Sequence, residues 1–331
     1  MTDALRGIPV LDTELEARLS ADLGRIEGGL LEAVASEDEF VADASRYLVE
    51  AGGKRFRPLL VLLAAQFGDA DAVGVVPSGV VVELTHLATL YHDDVMDEAE
   101  LRRGARSANS RWGNTIAILT GDFLFARSSA ILADLGPEAV RIQAHTFERL
   151  CTGQIRETVG PRGGQDPVKH HLEVIADKTG SLIAASGRYG ALMAGADAQT
   201  VDLLTEFGER IGVAFQLADD LVDITSESMQ SGKTPGTDLR EGIPTLAGLI
   251  ALMGHDPADA RLRDLLSRPL PDDAEHAEAL ALLRAHGSIE EARSVAQEWA
   301  AHARGLLAPL PDIPARQVLE ALCDYVVSRT G

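Results

Sequence analysis

Two copies of the pattern Asp-Asp-x-x-Asp constrain this chain more than any other feature. The first copy spans Asp93–Asp97 and the second spans Asp219–Asp223, and each follows a long apolar run with helical spacing. In a helix, the first and last aspartates of one copy lie a single turn apart on the same face. Like charges placed so repel each other, so each helix end is either solvated or holds a cation. One copy leaves both interpretations open, whereas two copies behind two apolar helices favour a cation site.

The composition agrees with a helical fold. Good helix formers greatly outnumber β-branched clusters, and only 4% of the residues are aromatic. These proportions predict an all-α chain. The 331 residues are enough for a large core, and length alone would favour about two domains.

The charge balance narrows the possible partners. The net charge is −21, from 30 Lys+Arg against 51 Asp+Glu, which argues against nucleic acid as a partner. An anionic substrate would therefore need a local basic pocket. The two cysteines, Cys151 and Cys323, stand far apart and are best interpreted as reduced thiols of a cytoplasmic protein. We find no signal peptide and no apolar run near the ~20 residues of a membrane span, so we expect no transmembrane segment.

A basic segment offers such a pocket. The run Gly52–Pro58 places three cations directly after a glycine pair. Pro58 suits the first turn of a following helix, so the cations would lie at a helix N-terminus, which already favours an anion. The functional interpretation is a diphosphate clamp, with Lys54 as a point charge and Arg57 as a bidentate fork. An ordinary basic surface loop fits this segment equally well.

Other segments are assigned from their breakers and caps. We expect one helix over Arg111–Leu135, and a later helix that is capped by Asp166 and includes Lys178-Thr179-Gly180. A glycine within that helix can loosen it and leave carbonyl groups free. The segment Thr225–Asp238 is rich in Ser, Gly, Thr and Pro. Its Lys233 could close over bound phosphates, or the segment could be a flexible surface connection.

These carboxylates point to a particular chemistry. Several carboxylates that converge in one cavity raise one another's pKa unless cations neutralise them. A site of carboxylate oxygens without His or Cys suits Mg²⁺ better than zinc, and Mg²⁺ completes its shell with water and substrate phosphates. The apolar residues beneath the aspartates would form a pocket for a hydrocarbon. A diphosphate head with a hydrocarbon tail is a prenyl diphosphate.

Taken in order along the chain, the motifs resemble those of a known family. The chain resembles the trans-polyprenyl diphosphate synthases at Gly52–Pro58, Asp93–Asp97 with Arg102-Arg103, Gly153-Gln154, Lys178-Thr179, Phe215-Gln216, and Asp219–Asp223 with Lys233. The resemblance implies a single domain over residues 1–331, an all-α antiparallel helical bundle around a deep central cavity (the isoprenoid synthase fold), and a homodimer. It also overrules the two-domain expectation, because the two aspartate motifs must face each other.

The resemblance implies a role for each motif residue. The metal ligands would be Asp93, Asp97, Asp219 and Asp223, which hold about three Mg²⁺ ions when substrate is bound. The residues that act in catalysis would be Asp93, Asp94, Asp97, Lys178, Asp219 and Asp220. Isopentenyl diphosphate would be bound by Lys54, Arg57, His86 and Arg103. The allylic diphosphate or the developing cation would be contacted by Arg102, Lys178, Thr179, Gln216 and Lys233.

The implied reaction is a head-to-tail (1'-4) condensation. Metal ions stabilise the departing pyrophosphate, an allylic carbocation forms, and the isopentenyl double bond attacks it. Ala88 and Thr89 lie about one turn before Asp93, where short-chain members of the family often carry aromatic rings. Because both residues are small here, we expect a deep pocket and an all-trans product of roughly C30 to C50. Tyr91 should point away from the pocket, and the product could pass to a membrane.

Four alternatives compete with this interpretation. A head-to-head synthase of the squalene type would use differently spaced aspartates. A short-chain farnesyl or geranylgeranyl diphosphate synthase would share every motif and differ only in its pocket. A terpene cyclase needs no second diphosphate pocket and usually lacks the second aspartate motif. A non-catalytic partner subunit of a heteromeric synthase would lose metal or phosphate residues, whereas here every such position is filled.

Overall fold

The computed structural model describes residues 12–226 and 235–328, and its regular secondary structure is almost wholly helical. The all-α prediction is confirmed. The helices are α1 (Thr13–Ala33), α2 (Glu39–Glu50), α3 (Phe56–Ala65), α4 (Val75–Met96), α5 (Ala108–Trp112), α6 (Asn114–Leu135), α7 (Pro137–Val159), α8 (Pro167–Ile175), α9 (Ser181–Met193), α10 (Ala198–Thr225), α11 (Thr237–Glu241), α12 (Leu246–Met253), α13 (Ala260–Leu266), α14 (Asp273–Ala285), α15 (Ser288–Leu307) and α16 (Pro314–Ser328). A π-helical turn, Ala176–Gly180, joins α8 to α9, and the strands β1 (Leu101–Arg102) and β2 (Ala105–Arg106) form an antiparallel hairpin.

The described residues fall into two compact units. The first contains those within Met1–Phe147, Leu182–Gly208 and Leu307–Ala321. Its central element is α4, which packs against α1, α3 and α6. Most side chains of α4 are buried, as expected for a helix that is apolar on every side.

The second unit contains the described residues within Glu148–Ser181, Glu209–Leu306 and Leu322–Gly331. Its core is built on the C-terminal half of α10, where Val213, Leu217 and Leu221 are almost fully buried. They belong to one apolar cluster with Leu246 of α12 and Leu283 of α14. The second aspartate motif thus lies on a helix that is fixed by its own apolar residues.

Two of the expected helix boundaries can be compared with the structure. The cap at Asp166 is confirmed, because its carboxylate accepts hydrogen bonds from the N–H groups of Val168 (2.8 Å) and Lys169 (3.2 Å). The single helix expected over Arg111–Leu135 is wrong. Gly113 has a φ of 86°, a left-handed conformation that interrupts the helix and separates α5 from α6.

One helix also departs from the expectation that no segment could span a membrane. By length and composition α6 passes that test, although a core helix of a globular protein can pass it too. Only 33% of its most apolar stretch is buried, and Ile118 and Leu119 are 42% and 57% exposed. This helix therefore presents an apolar surface to its surroundings.

Candidate active site

The first aspartate motif lies at the C-terminal end of α4, and its three aspartates have different environments. Asp94 is fully buried and its Oδ1 accepts a hydrogen bond from Nε of Arg102 at 2.6 Å. Burial raises the pKa of Asp94, although the charge of Arg102 opposes this. Asp93 is half-buried and Asp97 is exposed. The N–H of Asp97 bonds to the carbonyl of Asp93 at 2.8 Å, so these two lie one helical turn apart.

The adjacent arginines Arg102 and Arg103 lie on the β1–β2 hairpin. Arg103 and Gly104 form its turn with φ values of 53° and 78°, as in a type I′ turn. Arg102 turns to Asp94, whereas Nη1 of Arg103 donates to the carbonyls of Leu48 (3.0 Å) and Gly52. The hairpin therefore connects the acidic end of α4 to the basic segment before α3, a connection that the sequence analysis did not predict.

Within the basic segment, Arg55 has a structural role that the sequence analysis missed. Its side chain is 6% exposed and forms ion pairs with Glu27 of α1 and Glu83 of α4, the latter at 2.8 Å. Its Nη2 also donates to the carbonyl of Val49 at 2.9 Å. The neighbouring Lys54 is exposed, so of two adjacent cations only one is available to a ligand.

A cluster of positive charge surrounds His86. Burial lowers the pKa of His86 well below its usual value, and the charges of Arg57 and Arg103 lower it further. Burial and the charge of Arg103 also oppose protonation of Arg57, whose pKa is lowered. The Nε of Arg57 is buried with no hydrogen-bond partner in the described part of the chain. Three of the four residues expected to bind isopentenyl diphosphate are thus coupled electrostatically, and one has an unsatisfied donor.

The second aspartate motif lies within the last turns of α10. Asp220 is mostly buried, and its Oδ1 accepts a hydrogen bond from Nε2 of Gln216 at 2.8 Å. Burial, together with the charge of Asp238, raises the pKa of Asp220 to about 8. Asp219 is exposed and Asp223 is half-buried. As in the first motif, the middle aspartate is less exposed than one of its two partners and is held by a hydrogen bond.

The pair Lys178-Thr179 lies in the π-helical turn, where the N–H of Ser181 bonds to the carbonyl of Ala176, five residues earlier. The ammonium group of Lys178 is paired with Glu157 of α7. The hydroxyl of Thr179 donates to Oε1 of Gln216 at 3.1 Å, which extends the chain of hydrogen bonds to Asp220. The expected loosening at Gly180 thus takes the form of one π turn.

The residues expected to set chain length lie on α4 as predicted from its periodicity. Ala88 is 1% exposed, and the Thr89 hydroxyl donates to the carbonyl of His86 at 2.8 Å. The Ala88 carbonyl lies close to Gly121 of α6, where a Cβ atom would be 3.0 Å away. Tyr91 is fully buried, and its hydroxyl donates to the carbonyl of Ala44 at 2.5 Å, which places its ring towards α2.

The donor chemistry of the aspartates can be tested against Mg²⁺. Each motif offers a pair of carboxylates one turn apart, a hard-oxygen set without Cys or His ligands. Within residues 12–226 and 235–328, no three His, Cys, Asp or Glu side chains form a ready metal cage. Mg²⁺ does not require one, because it commonly takes one or two carboxylates and completes its shell with water and phosphate oxygens. The residue expected to close over the phosphates, Lys233, lies outside the described residues.

The chain was then compared with known proteins. Residues 38–283 match the polyprenyl synthetase family. A nonaprenyl diphosphate synthase of Mycobacterium tuberculosis is 51% identical over 98% of this chain and 97% of the relative. A geranylgeranyl pyrophosphate synthase of Corynebacterium glutamicum, crystallised with calcium and isoprenyl diphosphate, is 44% identical with a TM-score of 0.88, over 98% of this chain and 100% of that one.

A decaprenyl diphosphate synthase of Rhodobacter capsulatus is 34% identical with a TM-score of 0.88, over 96% of this chain and 99% of that one. The relatives therefore cover the whole motif set and include makers of short and long products. The all-α fold described above is the fold of these synthases. From this agreement in sequence and fold, the chain belongs to the polyprenyl synthetase family.

Proposed function

We propose that this prenyltransferase condenses isopentenyl diphosphate head-to-tail onto an allylic prenyl diphosphate and releases an all-trans polyprenyl diphosphate. The observation that carries this proposal is the pairing of two aspartate motifs with a separate basic cluster at Arg57, His86 and Arg103. Two diphosphates need two anion sites. A terpene cyclase would need only one, and a partner subunit would have no use for a complete set.

The metal ligands in this proposal are Asp93, Asp97, Asp219 and Asp223, which would hold about three Mg²⁺ ions together with the allylic diphosphate. Bound Mg²⁺ would neutralise charge on the diphosphate as it leaves. Asp94 and Asp220 are the second aspartates of the two motifs, held by Arg102 and Gln216. Their role would be to fix the ends of α4 and α10, so that the more exposed aspartates face the metal.

The two diphosphates would be bound by different residues. Isopentenyl diphosphate would contact Lys54, Arg57, His86 and Arg103. The unsatisfied Nε of Arg57 is a donor suited to a phosphate oxygen, and a neutral His86 would add a hydrogen bond without further charge. Arg102, Lys178, Thr179, Gln216 and Lys233 would contact the allylic substrate. Departing pyrophosphate can accept the proton that the product loses, so this scheme needs no protein base.

For the product we propose a length of roughly C30 to C50, since a deeper pocket accepts a longer hydrocarbon. Small residues at Ala88 and Thr89 and the 51% identity to a nonaprenyl diphosphate synthase support this length. The 44% identity to a geranylgeranyl pyrophosphate synthase is the observation that favours a shorter product as the second candidate.

We further propose that the enzyme is a single-domain cytoplasmic homodimer. The exposed apolar side chains of α6, Ile118 and Leu119 among them, would be covered by a second copy of the chain, because a contiguous apolar surface is costly in water. The net charge of the whole chain is −21. The product would leave this protein for a membrane.

A single assay tests the proposal. The purified protein is given farnesyl diphosphate, isopentenyl diphosphate and Mg²⁺, and the dephosphorylated products are separated by chromatography. We expect products between C30 and C50, and none when a chelator removes the metal. Products that stop at C15 or C20 would show that the second candidate is right. No isopentenyl incorporation by this protein alone would instead identify a partner subunit.

A further inference from the structure

One face of α7 carries contacts that the roles above do not use. Arg149, Gly153 and Glu157 are spaced four residues apart, so they lie one above another on a single helix face. Each of them contacts the π turn. Arg149 binds Asp177, Gly153 lies against the backbone of Lys178, and Glu157 pairs with the Lys178 ammonium group.

Arg149 of α7 forms hydrogen bonds with the π turn and with α10. Its Nε donates to Oδ1 of Asp177 at 2.9 Å, and its Nη2 donates to the carbonyl of Ala176 at 3.2 Å. Its Nη1 and Nη2 also donate to the two carboxylate oxygens of Glu209 on α10, at 2.9 and 3.2 Å. The guanidinium group therefore spans α7, the π turn and α10, and its planar set of donors is suited to such a bridge.

Asp177 is held from a second direction as well. Nη1 of Arg156 donates to its Oδ2 at 3.0 Å, so both carboxylate oxygens of Asp177 are engaged. The side chain is 14% exposed, and these charge-assisted hydrogen bonds are therefore partly shielded from water. Asp177 has no position in the aspartate motifs, and both arginines that donate to its carboxylate lie on α7.

Gly153 sets the distance between α7 and the π turn. A Cβ atom at this position would lie 2.9 Å from Cβ of Asp177 and 3.0 Å from both N and Cγ of Lys178. Such contacts are too close for any side chain to fit without moving the backbone of Lys178. The absence of a side chain at the glycine of the Gly153-Gln154 motif thus allows α7 to lie close to Lys178.

A π turn needs such support. It contains one residue more than an α turn and is rare outside single turns within α-helices, so we expect surrounding contacts to hold it. Relaxation to a regular helix would rotate the flanking residues by about 100° relative to each other. Lys178 and Thr179 would then no longer keep their present directions towards α7 and α10.

We propose that Arg149 and Gly153 are positioning residues, which hold the π turn so that Lys178 and Thr179 meet the allylic diphosphate. This inference rests on the proposed function, because it assumes that Lys178 and Thr179 bind that substrate. Arg149 acts through Asp177 and the turn, and it does not touch substrate itself. Isopentenyl diphosphate, which the basic cluster near α3 binds, should be indifferent to Arg149.

The first test compares Arg149→Gln and Arg149→Lys with a matched control. The control, Arg141→Gln, removes an exposed arginine of the same helix that pairs with Glu138 at 2.8 Å. We expect Arg149→Gln to raise the KM for the allylic diphosphate about tenfold or more, because small misplacements of binding groups are costly. The KM for isopentenyl diphosphate should change less than twofold, and Arg149→Lys should restore only part of the loss. An equal rise in both KM values would mean a purely structural role.

A double-mutant cycle separates this inference from the proposed function. In a Lys178→Ala background, Arg149→Gln should have little further effect on the allylic KM, because residues that act through one another are not additive. If the two effects add in full, the positioning role is wrong even though Lys178 binds substrate. If Lys178→Ala alone leaves the KM for the allylic diphosphate unchanged, Lys178 does not bind that substrate, and the role given to it in the proposed function is wrong.

A readout that does not depend on activity is hydrogen exchange at the π turn. The amides of residues 176–181 should exchange faster in Arg149→Gln than in the wild-type protein, whereas those of α4 should be unchanged. Gly153→Ala serves as a second variant, should Arg149→Gln fold poorly, and should raise the same KM. Wild-type exchange at the turn in both variants would overturn the inference.

Discussion

At the scale of single residues, Lys54 and Arg55 show how differently two adjacent cations can act. Arg55 is buried between Glu27 and Glu83, and Glu83 is 2% exposed. Replacing Arg55 with Gln would remove the ion pair of the buried Glu83, which we expect to lower the free energy of unfolding by about 3 to 5 kcal/mol. The measurement is urea denaturation followed by circular dichroism.

Lys54→Gln is the matched control for that prediction. Lys54 is exposed, so its loss should change the free energy of unfolding by less than about 0.5 kcal/mol. It should instead raise the KM for isopentenyl diphosphate. If Arg55→Gln were as stable as Lys54→Gln, the buried ion pairs would contribute nothing to the fold.

A second prediction at this scale concerns acid stability. Burial and the neighbouring arginines keep the pKa of His86 well below 6.5, so the folded protein leaves it neutral where the unfolded chain takes up a proton. Below pH 6.5 the unfolded chain binds more protons, and the free energy of unfolding falls by about 1.4 kcal/mol per pH unit from this one group. Denaturation at pH 7, 6 and 5 should show that the free energy of unfolding falls less steeply with falling pH in His86→Gln than in the wild-type protein. If the free energy of unfolding depended on pH equally in the two proteins, His86 would not be the group that stays neutral on folding.

At the scale of helices, α4 carries the prediction on product length. Ala88 is almost fully buried, and Ala88→Phe would place a ring about one turn before Asp93. We expect shorter products, because the ring would block the proposed pocket, at a packing cost of about 1 to 3 kcal/mol. The measurement is chromatography of the dephosphorylated products.

The control for this experiment is Tyr91→Phe on the same helix. It removes only the hydroxyl group that bonds to Ala44, on the side towards α2, and should leave the product length unchanged at a cost of about 1 kcal/mol in stability. Wild-type length in Ala88→Phe would show that the hydrocarbon lies elsewhere.

Helices also show how much the sequence could predict. Apolar periodicity and caps such as Asp166 identified α4, α8 and α10, because these signals are local. The break at Gly113 was missed, since a glycine within an apolar pattern is often tolerated in a helix. The π turn could not be predicted in form, because its support comes from Arg149 and Glu209 on other helices.

At the scale of the whole molecule, the aspartate and basic motifs were predictable because their order along the chain is specific. The partner of Asp94, Arg102, lies outside α4 and was not predictable, whereas Gln216 lies one turn before Asp220 on the same helix. The role of Arg55 was equally hidden, because Glu27 and Glu83 are distant from it in sequence. Charge and order are visible in a sequence, whereas partners across helices are not.

The proposed homodimer gives the prediction for the whole molecule. Leu119→Lys places a charge on the exposed apolar surface of α6, which should convert the dimer to monomer or weaken it at least tenfold. Light scattering after size-exclusion chromatography measures the mass. Val73→Lys changes a side chain that is 92% exposed and lies outside α6, so it should leave the mass unchanged. If the wild-type protein were monomeric, the proposal that α6 forms a dimer interface would be wrong.

The β1–β2 hairpin has a consequence for how this chain can vary in evolution. Arg102 and Arg103 reach opposite partners because they occupy consecutive positions around a two-residue turn. A substitution in the turn would alter one contact. An insertion or deletion of one residue would shift the register and exchange the directions of both side chains. Arg102 would then lose its contact with Asp94, and Arg103 would lose its contact with Gly52. We therefore expect the length of this segment to be under stronger constraint than the identity of most of its residues.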